Sequence, residues 1–250
     1  MGLIFVIAFL FLELVMRLDK FLSNSGIGSR KDIKSLVKAG AVTVDGKVAR
    51  DSGMNVLENS VVCLNNKEIS YKKYIYIMMN KPAGYVSATY DKRLPVVTDL
   101  LDEYSLRFEP FPAGRLDIDT EGLLILTNDG DLTHRILSPK SHIHKKYFVI
   151  SEKGVTPSDQ EVFKSGIDLH DFVSMPSELE FTDRENESFV TLCEGKFHQV
   201  KRMFEAVDNK VVYLKRVKMG NLPLDESLSP GEYRELTDDE IKLLCEEDDI

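Results

Sequence analysis

The pattern of apolar and polar residues changes character three times along the chain. Residues 1–15 are almost continuously apolar, broken only by Gly2 and Glu13. From Met16 the apolar positions fall at helical spacing, first Leu18, Phe21 and Leu22, then Ile33, Leu36 and Val37. Ser29 is placed to cap the second of these helices and Gly40 to end it. Val42, Val44 and Val48 then alternate around Asp45-Gly46, a hairpin turn signal. Residues 65–73 are polar and without a period, and read as a linker. From Tyr74 the pattern turns to strands, at residues 74–79, 123–126, 147–150, 189–193 and 211–214. Helical spacing recurs only at 132–137, 158–166 and 199–207. The expectation is an α+β chain: a small helical and hairpin domain over residues 16–64, then a mixed-sheet domain over residues 74–250.

Composition narrows the class of protein. Hydrophobic residues make up 43% and charged residues 29%, an ordinary globular balance. Cys63, Cys193 and Cys245 lie far apart, with neither zinc-ligand nor redox spacing. A reducing, cytoplasmic setting is expected. The apolar residues 1–15 are shorter than the roughly twenty that span a bilayer. They also lack the basic start and small-residue end of a secretion signal. They read as an upstream extension of the reading frame, with translation expected to begin at Met16, so no membrane partner is expected.

The net charge of −9 is unevenly spread. Residues 224–250 hold eleven acidic residues against two basic, an acidic C-terminal tail. Residues 16–73 hold eleven basic against six acidic. The front of the chain therefore suits phosphate contact although the whole is acidic. Arg30, Lys34 and Lys38 recur every four residues away from the apolar face of the second helix, flanked by Lys31.

Three segments carry candidate chemistry. Residues 114–130 read GRLDIDTEGLLILTNDG, two acids in a turn followed by a buried-looking strand. On composition alone this is a solvated turn, yet a carboxylate on a loop anchored by a rigid strand is well placed for catalysis. His144-Lys145-Lys146-Tyr147 opens another strand, where Tyr147 fits a core position equally well. Residues 194–204 read EGKFHQVKRMF, a basic helix start with Val200, Met203 and Phe204 on its inner side. The phosphate-binding and dinucleotide-binding glycine motifs do not occur, and His142 and His144 lack further ligands. No cofactor and no metal are expected.

The run Gly-Arg-Leu-Asp-x-x-Thr-x-Gly-Leu-Leu-x-Leu-Thr-Asn-Asp-Gly is similar to the signature of the pseudouridine synthases. Asn80-Lys81-Pro82-x-Gly84 and Pro230-Gly231-Glu232-Tyr233-Arg234-x-Leu236 match that family's opening and closing blocks. The resemblance implies that Asp117 is the catalytic carboxylate. It implies that Lys145 and Tyr147 form a Lys-x-Tyr motif whose Tyr packs on the target base. A basic residue just after His-Gln-Val should pair with the Asp. Many members have Arg there; this chain has Lys201 followed by Arg202, so Lys201 is favoured by position and Arg202 is its rival. The front segment resembles the αL-type RNA-binding domain found in several RNA-modifying enzymes. That makes Arg30, Lys31, Lys34 and Lys38 a phosphate track, with Arg115, Lys145 and Arg202 as further RNA contacts.

The implied reaction turns uridine into pseudouridine without a cofactor. The implied partner is ribosomal RNA, 16S by the wording of the motifs, free or in a partly assembled small subunit, with the enzyme acting as a monomer. The alternatives are a sibling acting on 23S rRNA or tRNA, a non-catalytic RNA-binding assembly factor, and a glycosidase using Asp117 with Asp119.

Overall fold

The computed structural model describes residues 15–57 and 59–245. Residues 1–14, on which the apolar extension falls, lie outside them. The chain divides into two compact units, Met1–Lys73 and Tyr74–Ile250.

In the first unit, strand β1 (Val15–Arg17) precedes helices α1 (Leu18–Asn24) and α2 (Arg30–Lys38). Strands β2 (Val42–Val44), β3 (Lys47–Val48), β4 (Asn55–Leu57), β5 (Val62–Leu64) and β6 (Lys67–Glu68) follow. Ser29 and Asp32 form a reciprocal capping box at the start of α2, a device worth about 1 kcal/mol. Leu18, Phe21, Leu22, Ile33 and Val37 turn inward against Val42, Val44, Val56 and Val62. This leaves Arg30, Lys31, Lys34 and Lys38 exposed on the opposite side of α2.

Residues 65–73 are not the plain linker that their polarity suggests. Asn65 and Asn66 both take positive φ, 50° and 65°, and turn the chain so that β6 pairs back on β5. Asn tolerates that conformation where most residues do not. Ile69 and Tyr71 then pack on the first unit's core, with Tyr71 stacked on Phe21 at 4.9 Å.

The second unit is built on a mixed sheet. Its strands are β7 (Tyr76–Lys81), β8 (Phe111–Ala113), β9 (Glu121–Thr127), β10 (Lys145–Ser151), β11 (Glu178–Phe181), β12 (Glu187–Leu192), β13 (Val211–Met219), β14 (Leu222–Pro223) and β15 (Tyr233–Glu235). The main path runs β11-β12-β10-β13-β9-β7-β15, with β8 added to β9 and β14 to β13. Every pairing is antiparallel except β13 with β9. Helices α3 (Glu103–Leu106), α4 (Gly130–Leu137), α5 (Pro157–Ser165), α6 (Gln199–Ala206) and α7 (Asp238–Cys245) complete it.

Strands β7 and β9 are buried on both faces, and for that reason β9 reads as an unbroken apolar run. Leu124 and Leu126 face Met203 and Phe204 of α6 and Phe163 of α5. Leu123 and Ile125 face Leu132 and Ile136 of α4 and Leu244 of α7.

The acidic C-terminus is more than a solvated tail. Strand β15 forms the sheet edge on β7, and Leu236 and Leu244 are buried. Arg234 fastens this region to itself, through Nε to Asp225 Oδ2 at 2.6 Å and Nη2 to Glu240 Oε1 at 2.7 Å. The Arg234 guanidinium holds the Glu240 carboxyl down at about 2. Asp225 and Glu240, two of the acids that give this segment its charge, are thus structural. Among the described residues no helix is long and apolar enough to cross a membrane.

Candidate active site

Asp117 lies on the loop between β8 and β9. Lys81, at the end of neighbouring β7, is fully buried and reaches under that loop. Its ammonium donates to the carbonyls of Asp117 at 3.1 Å, Thr120 at 2.9 Å and Pro82 at 3.0 Å. Burial pushes the Lys81 amine down to about 8, against the opposing pull of Asp119, Asp117 and Glu121. Buried Ser87 clamps Leu116 from both sides, accepting its N–H at 3.1 Å and donating to its carbonyl at 2.9 Å. The Gly84 N–H donates to the Ile118 carbonyl at 2.6 Å.

The loop's exit into β9 requires glycine. Gly122 has φ 101°, and a Cβ there would lie 2.2 Å from the Arg216 carbonyl oxygen on parallel β13. No side chain fits so close an approach.

Helix α6 supplies the opposing charge. Lys201 Nζ lies 3.3 Å from Asp117 Oδ2 and 2.6 Å from Asp119 Oδ1, bridging the two acids. Burial tends to lower the Lys201 amine, but the hydrogen bond to Asp119 and the charge of Asp117 outweigh it and raise it. Burial likewise opposes ionisation of Asp119, and Lys201 reverses that and holds the carboxyl low. His198 Nε2 stands 3.7 Å from Asp117 Oδ1.

Arg202, the rival partner, is elsewhere. It donates to Asp171 and to the Leu169 carbonyl, and its guanidinium lies over the Phe172 ring at 5.2 Å. Successive helical residues point about 100° apart, so only one of the pair can face Asp117.

Asp117 sits in a cleft walled by Tyr147, Leu116, Leu192, Val200 and Leu214, with Arg115, Lys196, His198 and Gln199 at its polar side. Tyr147 is 7% exposed. The inward side chains of β10 alternate as Lys145, Tyr147 and Val149. A flat apolar wall beside a carboxylate–ammonium pair suits a planar, polar-edged ring.

Lys145 contradicts the expectation of a surface RNA contact. It is 4% exposed and donates to the carbonyls of Ile143 at 2.6 Å and Cys193 at 2.8 Å. Burial, reinforced by Arg216, pushes its amine down to about 8. The strand's period of two had placed it on the same face as Tyr147, and that signal was available in the sequence. Arg115 is exposed at the cleft, whereas Arg30, Lys31, Lys34 and Lys38 belong to the first unit.

Lys81, Ser87 and His198 were not singled out from sequence. Neither was the brace formed by Glu194 and Gln199. The buried Glu194 carboxylate accepts from the Met175 N–H at 2.8 Å and the Gln199 amide at 2.9 Å. Gln199 in turn accepts from the Lys196 N–H at 3.0 Å. His198 at the start of α6 is held in the left-handed region at φ 50°.

Residues 75–206 match the family described as RNA pseudouridylate synthase, and residues 16–62 match the S4 domain. The chain belongs to the RNA pseudouridine synthases, as an isomerase acting on RNA. It is 49% identical over 236 residues to an uncharacterized RNA pseudouridine synthase, YtzG, of Bacillus subtilis, covering 92% of this chain and 99% of that one. It is 42% identical over 229 residues to ribosomal small subunit pseudouridine synthase A of Escherichia coli, covering 90% and 98%. A solved structure of a pseudouridylate synthase is 37% identical, with a TM-score of 0.65 over 92% of this chain and 99% of that one.

Proposed function

We propose that this enzyme converts a uridine of 16S ribosomal RNA to pseudouridine, with Asp117 as the catalytic carboxylate. The observation that carries the reading is the Asp117–Lys201 pair, 3.3 Å apart beside the Tyr147 wall. The reaction breaks the bond from N1 to C1′, turns the uracil and joins C5 to C1′. The C5 proton leaves and N1 gains one, so no oxidant or external group is needed.

The target base must leave its stack to reach the cleft. Stacking on Tyr147 stabilises the extruded base by about 1–3 kcal/mol, comparable with the cost of extruding it. A carboxylate that must stay ionised in a closed site needs a cation beside it, and Lys201 fills that place. The cleft's apolar wall limits water, which otherwise competes for C1′.

In this reading residues 16–64 dock RNA through Arg30, Lys31, Lys34 and Lys38, and residues 74–250 perform the chemistry. The choice of the 16S molecule rests on the front domain and on likeness to a relative named for the small subunit.

The test is pseudouridine mapping of total RNA from a deletion strain complemented with the native protein or with Asp117→Asn. One 16S site should vanish in the deletion, return with the native protein, and stay absent with the variant. Full modification by the variant would overturn the role of Asp117. Loss of a 23S or tRNA site instead would move the substrate to a sibling class.

A further inference from the structure

Phe197 is 68% exposed on the short segment that joins β12 to α6. One face of its ring stacks on His198, with centroids 3.7 Å apart and planes 19° from parallel. His198 is itself the side chain whose Nε2 lies 3.7 Å from Asp117. The two rings therefore form a short stack that leads outward from the catalytic carboxylate and ends on an open aromatic face.

The segment is not a loose loop tip. Lys145 fastens its first carbonyl from below, and the Glu194–Gln199 brace closes it across the turn. An aromatic ring presented on a fixed backbone loses little freedom when a second ring settles on it. Lys196, next to it in the chain, packs over Phe172 at 3.8 Å and lies 3.7 Å from Glu194, and Arg115 stands exposed at the cleft that His198 lines. An exposed aromatic face next to a cleft with basic residues at its polar side is a pattern by which proteins seat single-stranded RNA.

We propose that the open face of Phe197 seats the base of a nucleotide adjoining the target uridine, so that Phe197 is a positioning residue. The proposal rests on the reading of the cleft as the uridine site. A uridine inserted beside Asp117 drags its neighbours to the mouth of the cleft, and there one of those bases continues the His198–Phe197 stack. Holding the neighbour fixes the direction from which the ribose enters, and so where C1′ lies relative to Asp117.

The test uses an oligonucleotide carrying the native protein's own target, located by mapping in whichever RNA holds it. An error about the 16S molecule therefore leaves this test intact. Placing 5-iodouridine at each nucleotide flanking the target and irradiating the complex should crosslink one of them to Phe197. Crosslinks mapping only to other residues would overturn the proposal. In steady-state assays Phe197→Ala should raise KM by about 5- to 100-fold, the range expected for losing one base stack, with a smaller fall in kcat. Phe197→Leu keeps an apolar side chain against His198 and should behave like Ala, whereas Phe197→Tyr should restore the native KM. A native KM in the Ala or Leu variant would sink the idea and leave the ring to a protein partner. A Tyr variant as weak as Ala, with an unchanged melting temperature, would sink it too.

Discussion

The two units of this enzyme use lysine in opposite ways. On α2 of the first unit, Lys31, Lys34 and Lys38 stand in water with Arg30, where their charge acts at a distance and is screened by salt. In the second unit Lys81 and Lys145 are buried, at 0% and 4% exposure, and each spends its N–H groups on backbone carbonyls. One set presents its charge to solvent; the other fastens loops. Burial brings both buried amines down to about 8, which marks how differently the same side chain is used. The residue type alone does not say which use a lysine has. Whether its neighbours are solvent or carbonyl oxygens decides it.

Substitutions at four places test this division, from the largest expected effect to the smallest. Asp117→Asn should reduce turnover by roughly 10³-fold or more, as expected on losing the reacting group, while filter binding to the target RNA stays near native. A parallel loss of binding would show that the two units' tasks are not separable. Lys81→Met should lower kcat by roughly 100-fold, the effect of moving a reacting group by about an ångström, with little change in RNA affinity.

Lys81 also gives a pH signature. Its folded-state value of about 8 lies below the ordinary 10.5. Between those values the unfolded chain binds more protons, so this group's contribution to stability rises with pH there. Losing the proton also removes an N–H from under the Asp117 loop. Native kcat should therefore fall above about pH 8 while the melting temperature, compared with Lys81→Met, does not fall with it. Activity and melting that decline together would contradict this account.

A third variant, Lys201→Met, should cost kcat roughly 10- to 100-fold by leaving two acids without their shared cation. Lys201→Arg should keep more activity, since Arg supplies the same charge. Equal losses in both would mean that compactness at this position matters more than charge. The smallest effect belongs to the surface. Replacing Arg30, Lys34 and Lys38 together by Ala should weaken RNA binding and reduce its logarithmic salt slope by about 2–3, roughly 0.7–0.9 for each phosphate that is no longer neutralised. A slope that does not change would remove α2 from the RNA track.

The sequence was most legible where one physical rule acted alone. The apolar run at 123–126 announced a buried strand, and Ser29 announced the start of α2. Legibility failed where partners are backbone atoms. Lys81 and Ser87 act on carbonyls and N–H groups of residues 116–120, and such bonds leave no complementary residue type to find. At Lys201 and Arg202 the family pattern favoured Lys201, the one that lies 3.3 Å from Asp117, but the helical period alone does not give the rotation that turns one of them toward the acid. Lys145 shows a different loss. The alternation that places it beside Tyr147 was present in the sequence, and the family motif drew attention to its charge instead. The parallel β9–β13 pairing, which makes Gly122 necessary, joins positions far apart in the chain. Local pattern does not reach that far.

The sheet order has a consequence for how the enzyme is made. Strand β7, which carries Lys81, pairs on its outer edge with β15, Met79 lying opposite Tyr233. A growing chain thus exposes that edge from the synthesis of β7 until residue 235 has left the ribosome. Pairings of such long separation form late and slowly, and an open edge invites pairing with other chains meanwhile. The ionic knot of Arg234 with Asp225 and Glu240 is entirely local to residues 225–240. It can form as soon as that segment emerges, presenting β15 already shaped to close the edge. An enzyme that acts on RNA thereby carries, in its acidic residues 225–240, a latch that closes the edge of its own sheet.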